Sequence, residues 1–225
     1  QAALAHGLPG QLISLQENYG KKAALHAGIM AARHPYIATT DADSLPHPNW
    51  LMTILQYVES TGASLCLGIV YMPATAIAAQ WQALEFSSLI ASGAGAAGLG
   101  NPVMANGANM AFTTNAYRDV HHTLPRHLAS GDDMFLLHAL KKKPPHRIVF
   151  MKTLHASVET PPAKNLQAFL QQRRRWTAKS PHYKDLFTIL TALLVLGANI
   201  SMLAALFYAL ITGKWFPAGM VFLAK

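Results

Sequence analysis

From Leu186 to Gly213 the chain runs without a charged residue, between Asp185 and Lys214. A bilayer's hydrocarbon core of about 30 Å is crossed by roughly 20 helical residues, so this segment is long and apolar enough to span it. A core helix of such length with no polar face would need a domain wrapped around every side of it. Basic residues crowd the approach: Lys141, Lys142, Lys143, Arg147, Lys152, Lys164, Arg173, Arg174, Arg175, Lys179 and Lys184 stand against one acid, Glu159. A cationic flank stays on the cytoplasmic side. The expectation is an integral protein of the cell membrane whose preceding domain is cytoplasmic. The composition agrees, with 52% hydrophobic and 12% charged residues beside a net charge of +8. That balance suits a membrane part and a basic face towards anionic lipid or phosphate better than a purely soluble enzyme.

With 225 residues there is room for one ordinary domain and an appendage. We expect a domain over 1–180 and a membrane region over 181–225, with a first span at about 186–213 and a second one cut short. Gln1 follows no initiator Met or signal peptide, and the opening residues read as mid-domain, so an upstream piece is expected. The lone cysteine, Cys66, lies in an apolar run and reads as a small buried hydrophobe. The histidines show no His-x-x-x-His spacing, and His121-His122 is only an adjacent pair, which argues against a zinc site.

Helical and strand-like patterns alternate upstream of the span. Residues 20–33 and 49–59 carry helical apolar stripes, Pro48 opening the second, while 35–40 and 65–72 read as buried strands. Residues 74–99 are Ala-rich and helical, loosened by Gly93, Gly95, Gly98 and Gly100; an interfacial helix and a plain core helix both fit. A turn at Asn106-Gly-Ala-Asn109 leads into a strand, and a helix over 132–140 precedes a strand over 147–154. Alternation of this kind predicts an α/β fold with a parallel sheet.

Three clusters could carry chemistry. Asp41-Ala-Asp43 follows a short apolar strand, where open α/β sheets bind ligands, and carboxylates at i and i+2 across a turn can share one Mg²⁺ or Mn²⁺. Asp132-Asp133 opens a helix; acids there suit the helix dipole, and adjacent carboxylates also suit a general base. Gln172-Arg-Arg-Arg-Trp176, after a helical segment at 166–170, fits an interfacial anchor or a forked arginine grip on diphosphate beside a stacking ring.

Taken in order, Asn18-Tyr-Gly-Lys21, Asp41-Ala-Asp43, Asn106-Gly-Ala-Asn109, Gly131-Asp-Asp133 and Gln172-Arg-Arg-Arg-Trp176 with the apolar span resemble family 2 glycosyltransferases. These are the inverting, membrane-anchored GT-A enzymes that include cellulose, chitin and hyaluronan synthases. The resemblance covers nearly the whole chain, and Gln-x-x-Arg-Trp is its most specific element. It implies a Rossmann-like nucleotide-diphospho-sugar domain, incomplete at its N-terminus and followed by transmembrane helix. It implies a divalent metal on Asp43 with help from Asp41, and Asp133 as the base on the acceptor hydroxyl. Arg175, Gln172, Trp176, Lys21, Asp132, Asn106, Gly107 and Asn109 would serve donor diphosphate or acceptor. The implied partners are a UDP-sugar or other nucleotide-sugar donor, a glycan or lipid-linked acceptor and membrane lipids, rather than nucleic acid.

The family's first strand is missing, the base motif reads Gly-Asp-Asp where Gly-Glu-Asp is commoner, and His26 stands where Asn is frequent. Two other functions fit parts of the pattern. One is a nucleotidyltransferase of related fold, which would show a Gly-rich phosphate loop near its start. The other is a membrane assembly partner without catalysis, which has no need of intact acidic motifs.

Overall fold

Helix α1 (Gly20–Ala31) leads to strand β1 (Tyr36–Thr39), the two-residue β2 (Leu45–Pro46) and helix α2 (Trp50–Thr61). Then come β3 (Leu65–Leu67), β4 (Val70–Tyr71), the long α3 (Ile77–Gly98), β5 (Met110–Thr113), α4 (Thr114–Val120) and α5 (Asp132–Lys141). The remainder is β6 (Ile148–Phe150), β7 (Val158–Glu159), α6 (Leu166–Thr177), α7 (Leu186–Thr212) and α8 (Phe216–Leu223). This is a computed structural model in which residues 11–15, 20–125 and 131–223 are described, so Asn18, Tyr19 and Ser130 lie outside the described residues. The chain divides into two units, Gln1–His182 and Tyr183–Lys225.

The first unit is mixed α/β, consistent with a GT-A domain, but its main sheet is not the parallel one that alternation predicts. Its order is β1-β5-β3-β6, and β5 runs antiparallel to both neighbours, with only β3 and β6 paired in parallel. The reason lies in where the chain returns after α3. Met110, the first residue of β5, faces Thr39 and Leu67, the last residues of β1 and β3. The connection comes back at the carboxyl edge and has only the reverse direction open to it. That return also sets the 106–109 turn on the edge where the Asp41 turn emerges.

The strand expected over 65–72 is two strands in two sheets, with β4 in a small sheet of order β2-β7-β4. Asn109 makes the break. Its Nδ2 donates to the carbonyls of Ile69 (2.8 Å) and Ala156 (2.7 Å), and its Oδ1 accepts from Trp50 Nε1 at 2.9 Å. The Asn109 amide lies so close to Gly68 that a Cβ there would sit 2.4 Å from Nδ2. Gly68 is therefore required by space rather than by backbone conformation.

The core flanks both faces of this arrangement. Trp50, Ile54 and Val58 recur at helical spacing on α2 and pack with Cys66, Ala111, Met151 and Val158. Gly62 ends that helix in the left-handed conformation, φ 62°. Burial of each such large apolar side chain is worth about 1.5–3 kcal/mol. Burial also pushes the Cys66 thiol up to about 12. On the other side, Phe86 and Ile90 of α3 pack on Val70, Met72 and Ala108, while Ile77, Trp81 and Leu84 of the same helix are exposed.

In the second unit α7 has 27 residues and a mean hydropathy of 2.2 over its most apolar window. It is the one helix among the described residues long and apolar enough to cross a membrane. The Asp185 carboxylate caps it by accepting from the Thr188 N–H at 2.9 Å, and Gly213 closes it at φ 70°. Leu194 and Ile211 lie exposed on its surface, and α8 packs against it.

Candidate active site

The acidic motifs and the Asn106–Asn109 turn meet at the carboxyl edge of the main sheet. Thr39 ends β1, and its hydroxyl donates to the Gly107 carbonyl at 2.9 Å. The Gly107 N–H in turn donates to Asp133 Oδ2 at 3.2 Å. Asp41 follows Thr39 by two residues, so one chain of hydrogen bonds ties the start of the Asp-x-Asp turn to the carboxylate of Asp133. Asn106 folds onto its own turn, Oδ1 accepting from the Ala108 N–H at 3.0 Å. Asn109 is wholly buried with its amide bonded as described above, and it supports the rim from beneath.

Gly131 sets the direction of α5. It precedes the helix at φ 99°, a left-handed conformation that glycine adopts without strain. Asp132 and Asp133 then occupy the first turn, where the helix dipole favours negative charge. Asp133 Oδ1 accepts from the Met134 N–H at 2.8 Å, and Lys179 Nζ lies 3.5 Å from the same oxygen. Asp132 is paired with Lys22 Nζ at 3.1 Å, and that ammonium also donates to the Pro125 carbonyl and sits 5.7 Å from the Phe135 ring centre. Asp41 is paired with Lys21 at 2.5 Å, a solvent-washed contact worth only about 0.2–1 kcal/mol. Asp43 is exposed.

The Gln172–Trp176 segment does not follow a helix that stops at residue 170, as the sequence suggests. It lies inside α6, which runs on to Thr177. Trp176 consequently packs on the cluster holding Phe86 and Ala108, its ring 5.9 Å from that of Phe86. The segment is thereby joined to the residue next to Gly107. Gln172 Oε1 is buried without a hydrogen-bond partner among the described residues. The Arg175 side chain is exposed and makes no hydrogen bond or ion pair with another described residue. The arginine that works inward is Arg173, which stacks between Phe169 (4.6 Å) and Trp176 (4.3 Å) and pairs with Glu85 of α3. Burial pulls its guanidinium below its ordinary value, with Glu85 opposing the shift. His26 Nδ1 is hydrogen-bonded to the Tyr117 hydroxyl at 2.9 Å.

A family profile for glycosyl transferase family group 2 matches residues 36–224. The chain belongs to glycosyl transferase family group 2. No curated protein matches it significantly. Membership carries the general activity, transfer of a glycosyl group from a nucleotide sugar to an acceptor, and the matched region includes every motif from Asp41 to the apolar helix.

Among the described residues no group of three His, Cys, Asp or Glu could hold a metal by itself. Magnesium and manganese retain waters and are held by one or two carboxylates plus substrate phosphates, so hard oxygens from Asp41 and Asp43 are a suitable donor set.

Sequence reasoning missed Lys22, Arg173 and Lys179. Lys22 and Lys179 find their carboxylates through tertiary contacts for which local spacing carries no signal. Arg173 was legible in principle, because reading α6 through to Trp176 puts Phe169, Arg173 and Trp176 on one stripe. Elsewhere a shallow cleft of about 520 Å³ is lined by Ser64, Asn115, Arg118, Asp119 and His146. There Lys143 and His146 hold the Asp119 carboxyl below its usual range. It shares no residue with the rim.

Proposed function

We propose that this family 2 chain transfers a hexosyl or N-acetylhexosaminyl group from a UDP-sugar, with inversion, at the cytoplasmic face of the membrane. The acceptor is a glycan or lipid-linked sugar. One observation carries the reading: the Gly107 N–H holds the carboxylate of Asp133 on the rim where the Asp41–Asp43 turn emerges. Base and diphosphate-binding acids then serve one donor–acceptor pair.

The step divides among named residues. Asp133 accepts the proton of the acceptor hydroxyl, whose oxygen attacks the anomeric carbon from the face opposite the nucleoside diphosphate. The bond from that carbon to the diphosphate oxygen breaks, and the configuration inverts. Gly107 and the Met134 N–H fix the carboxylate's orientation, so that little reorganisation precedes attack. Asp41 and Asp43 would hold a divalent cation, which when bound neutralises charge on the leaving diphosphate. Lys21 stands beside Asp41, within the same neighbourhood of charge. Gln172 and Trp176 line the donor–acceptor junction, and Arg175 stabilises charge building on the leaving diphosphate.

The membrane placement is supported by α7, whose apolar side chains stay exposed over a length that fits a bilayer, and by the basic flank before it. Stripping divalent metal with a chelator from the protein in native membranes is expected to abolish sugar transfer, and excess Mg²⁺ or Mn²⁺ to restore it. Undiminished transfer in chelator would remove Asp41 and Asp43 from this role.

A further inference from the structure

Lys179 comes from beyond the end of α6, yet it lies against the start of α5. Its ammonium is 3.5 Å from Asp133 Oδ1, and the two side chains are only 15% and 20% exposed. The aliphatic stem runs over Gly131, where an added Cβ would meet Lys179 Cδ at 2.9 Å. The position is therefore tailored from both sides, by a lysine long enough to reach and by a glycine small enough to let it pass. The neighbouring acid has its own cation, because Lys22 pairs with Asp132. Neither lysine has to bridge both acids.

The carboxylate of Asp133 is accordingly gripped by three elements. The 106–109 turn supplies the Gly107 N–H, α5 supplies the Met134 N–H, and the segment after α6 supplies an ammonium. The two N–H groups set the plane of the carboxylate, and both are backbone. Among the described residues the ammonium is the one grip made by a side chain. An ion pair this sheltered from water is screened far less than one at the surface.

We propose that Lys179 is a positioning residue for sugar transfer. It acts through Asp133, fixing Oδ1 so that the carboxylate meets the acceptor hydroxyl in one orientation, and it links that orientation to the seating of α6. It does not touch the reacting atoms. The inference rests on Asp133 being the base, and the test separates the two ideas.

Transfer is measured with full-length protein in membranes for Lys179→Met, Lys179→Arg, Asp133→Asn and the double variant Lys179→Met/Asp133→Asn. Protein amount and thermal midpoint are recorded for each. Lys179→Met is expected to lower kcat about tenfold or more by misplacing the base, while donor and acceptor KM stay within roughly threefold. Lys179→Arg recovers most of that loss. The double variant is no slower than Asp133→Asn alone, since a residue acting through Asp133 has nothing left to act on. An unchanged kcat in Lys179→Met overturns the proposal, as does a loss that adds fully to that of Asp133→Asn. A loss that tracks only the amount of folded protein also overturns it. If Asp133→Asn itself keeps full transfer, the base assignment fails, and the Lys179 proposal fails with it. If Asp133→Asn is inactive while Lys179→Met is normal, only the Lys179 proposal fails.

Discussion

Asp133→Asn is expected to slow sugar transfer about 100-fold or more, the scale of a lost general base. The substitution is a close match in shape. An asparagine oxygen can still accept from one of the Met134 and Gly107 N–H groups, so the rim keeps one of its two backbone ties to this side chain. What disappears is the capacity to take the acceptor's proton, along with attraction for Lys179. Single-turnover transfer should reveal the loss at saturating donor, with the thermal midpoint within a few degrees of the parent. Full transfer by the Asn variant would mean that the acceptor's proton leaves by another route.

The largest stability effect should come from Asn109→Ala. Removal of this one side chain strands the Trp50 indole N–H and the Ala156 carbonyl, while the Ile69 carbonyl loses one of two donors and keeps the Val158 N–H. Trp50 is 7% exposed and Ala156 not at all, so water cannot readily replace the lost partners. Each stranded group costs about 1–3 kcal/mol, and a total of about 3–5 kcal/mol is expected after relaxation. Asn109→Asp separates hydrogen bonding from packing. It preserves volume and the acceptor for Trp50 but aims an oxygen at two carbonyls, and it should be about as damaging as alanine. Denaturant unfolding of the purified protein, or the yield of folded protein where unfolding is irreversible, measures this. A loss below about 1 kcal/mol for both variants would show that the amide is not what joins β3, β4 and the 106–109 turn.

The contrast between these residues shows what local sequence reveals. The positions of α1, β1, α2 and α5 follow from apolar periodicity and from Gly and Pro punctuation, and the unbroken apolar run fixes the extent of α7. The direction of β5 does not follow, because strand polarity depends on which edge the chain returns to after α3. Likewise Asp41, Gly107, Asp133 and Trp176 are recognisable as types in order, but the bonds that assemble them are tertiary. Asn109 illustrates the limit: within Asn106-Gly-Ala-Asn109 it looks like a ligand-binding amide, and its burial against Gly68 makes it framework. Arg173 errs the other way. Polar and set among arginines, it reads as solvated, yet stacking and Glu85 bring it inward, with its stem and guanidinium plane treated as apolar surface.

The most direct test of sugar transfer is a donor panel. Membranes containing the full-length protein are incubated with UDP- and GDP-sugars and Mn²⁺ or Mg²⁺, and nucleoside diphosphate release and glycosylated product are followed together. The expected result is that a UDP-sugar yields UDP and product in equal amounts, with inverted anomeric configuration and strict dependence on Asp133. Absence of release from every donor, with pyrophosphate formed instead from a sugar phosphate and a nucleoside triphosphate, would contradict it.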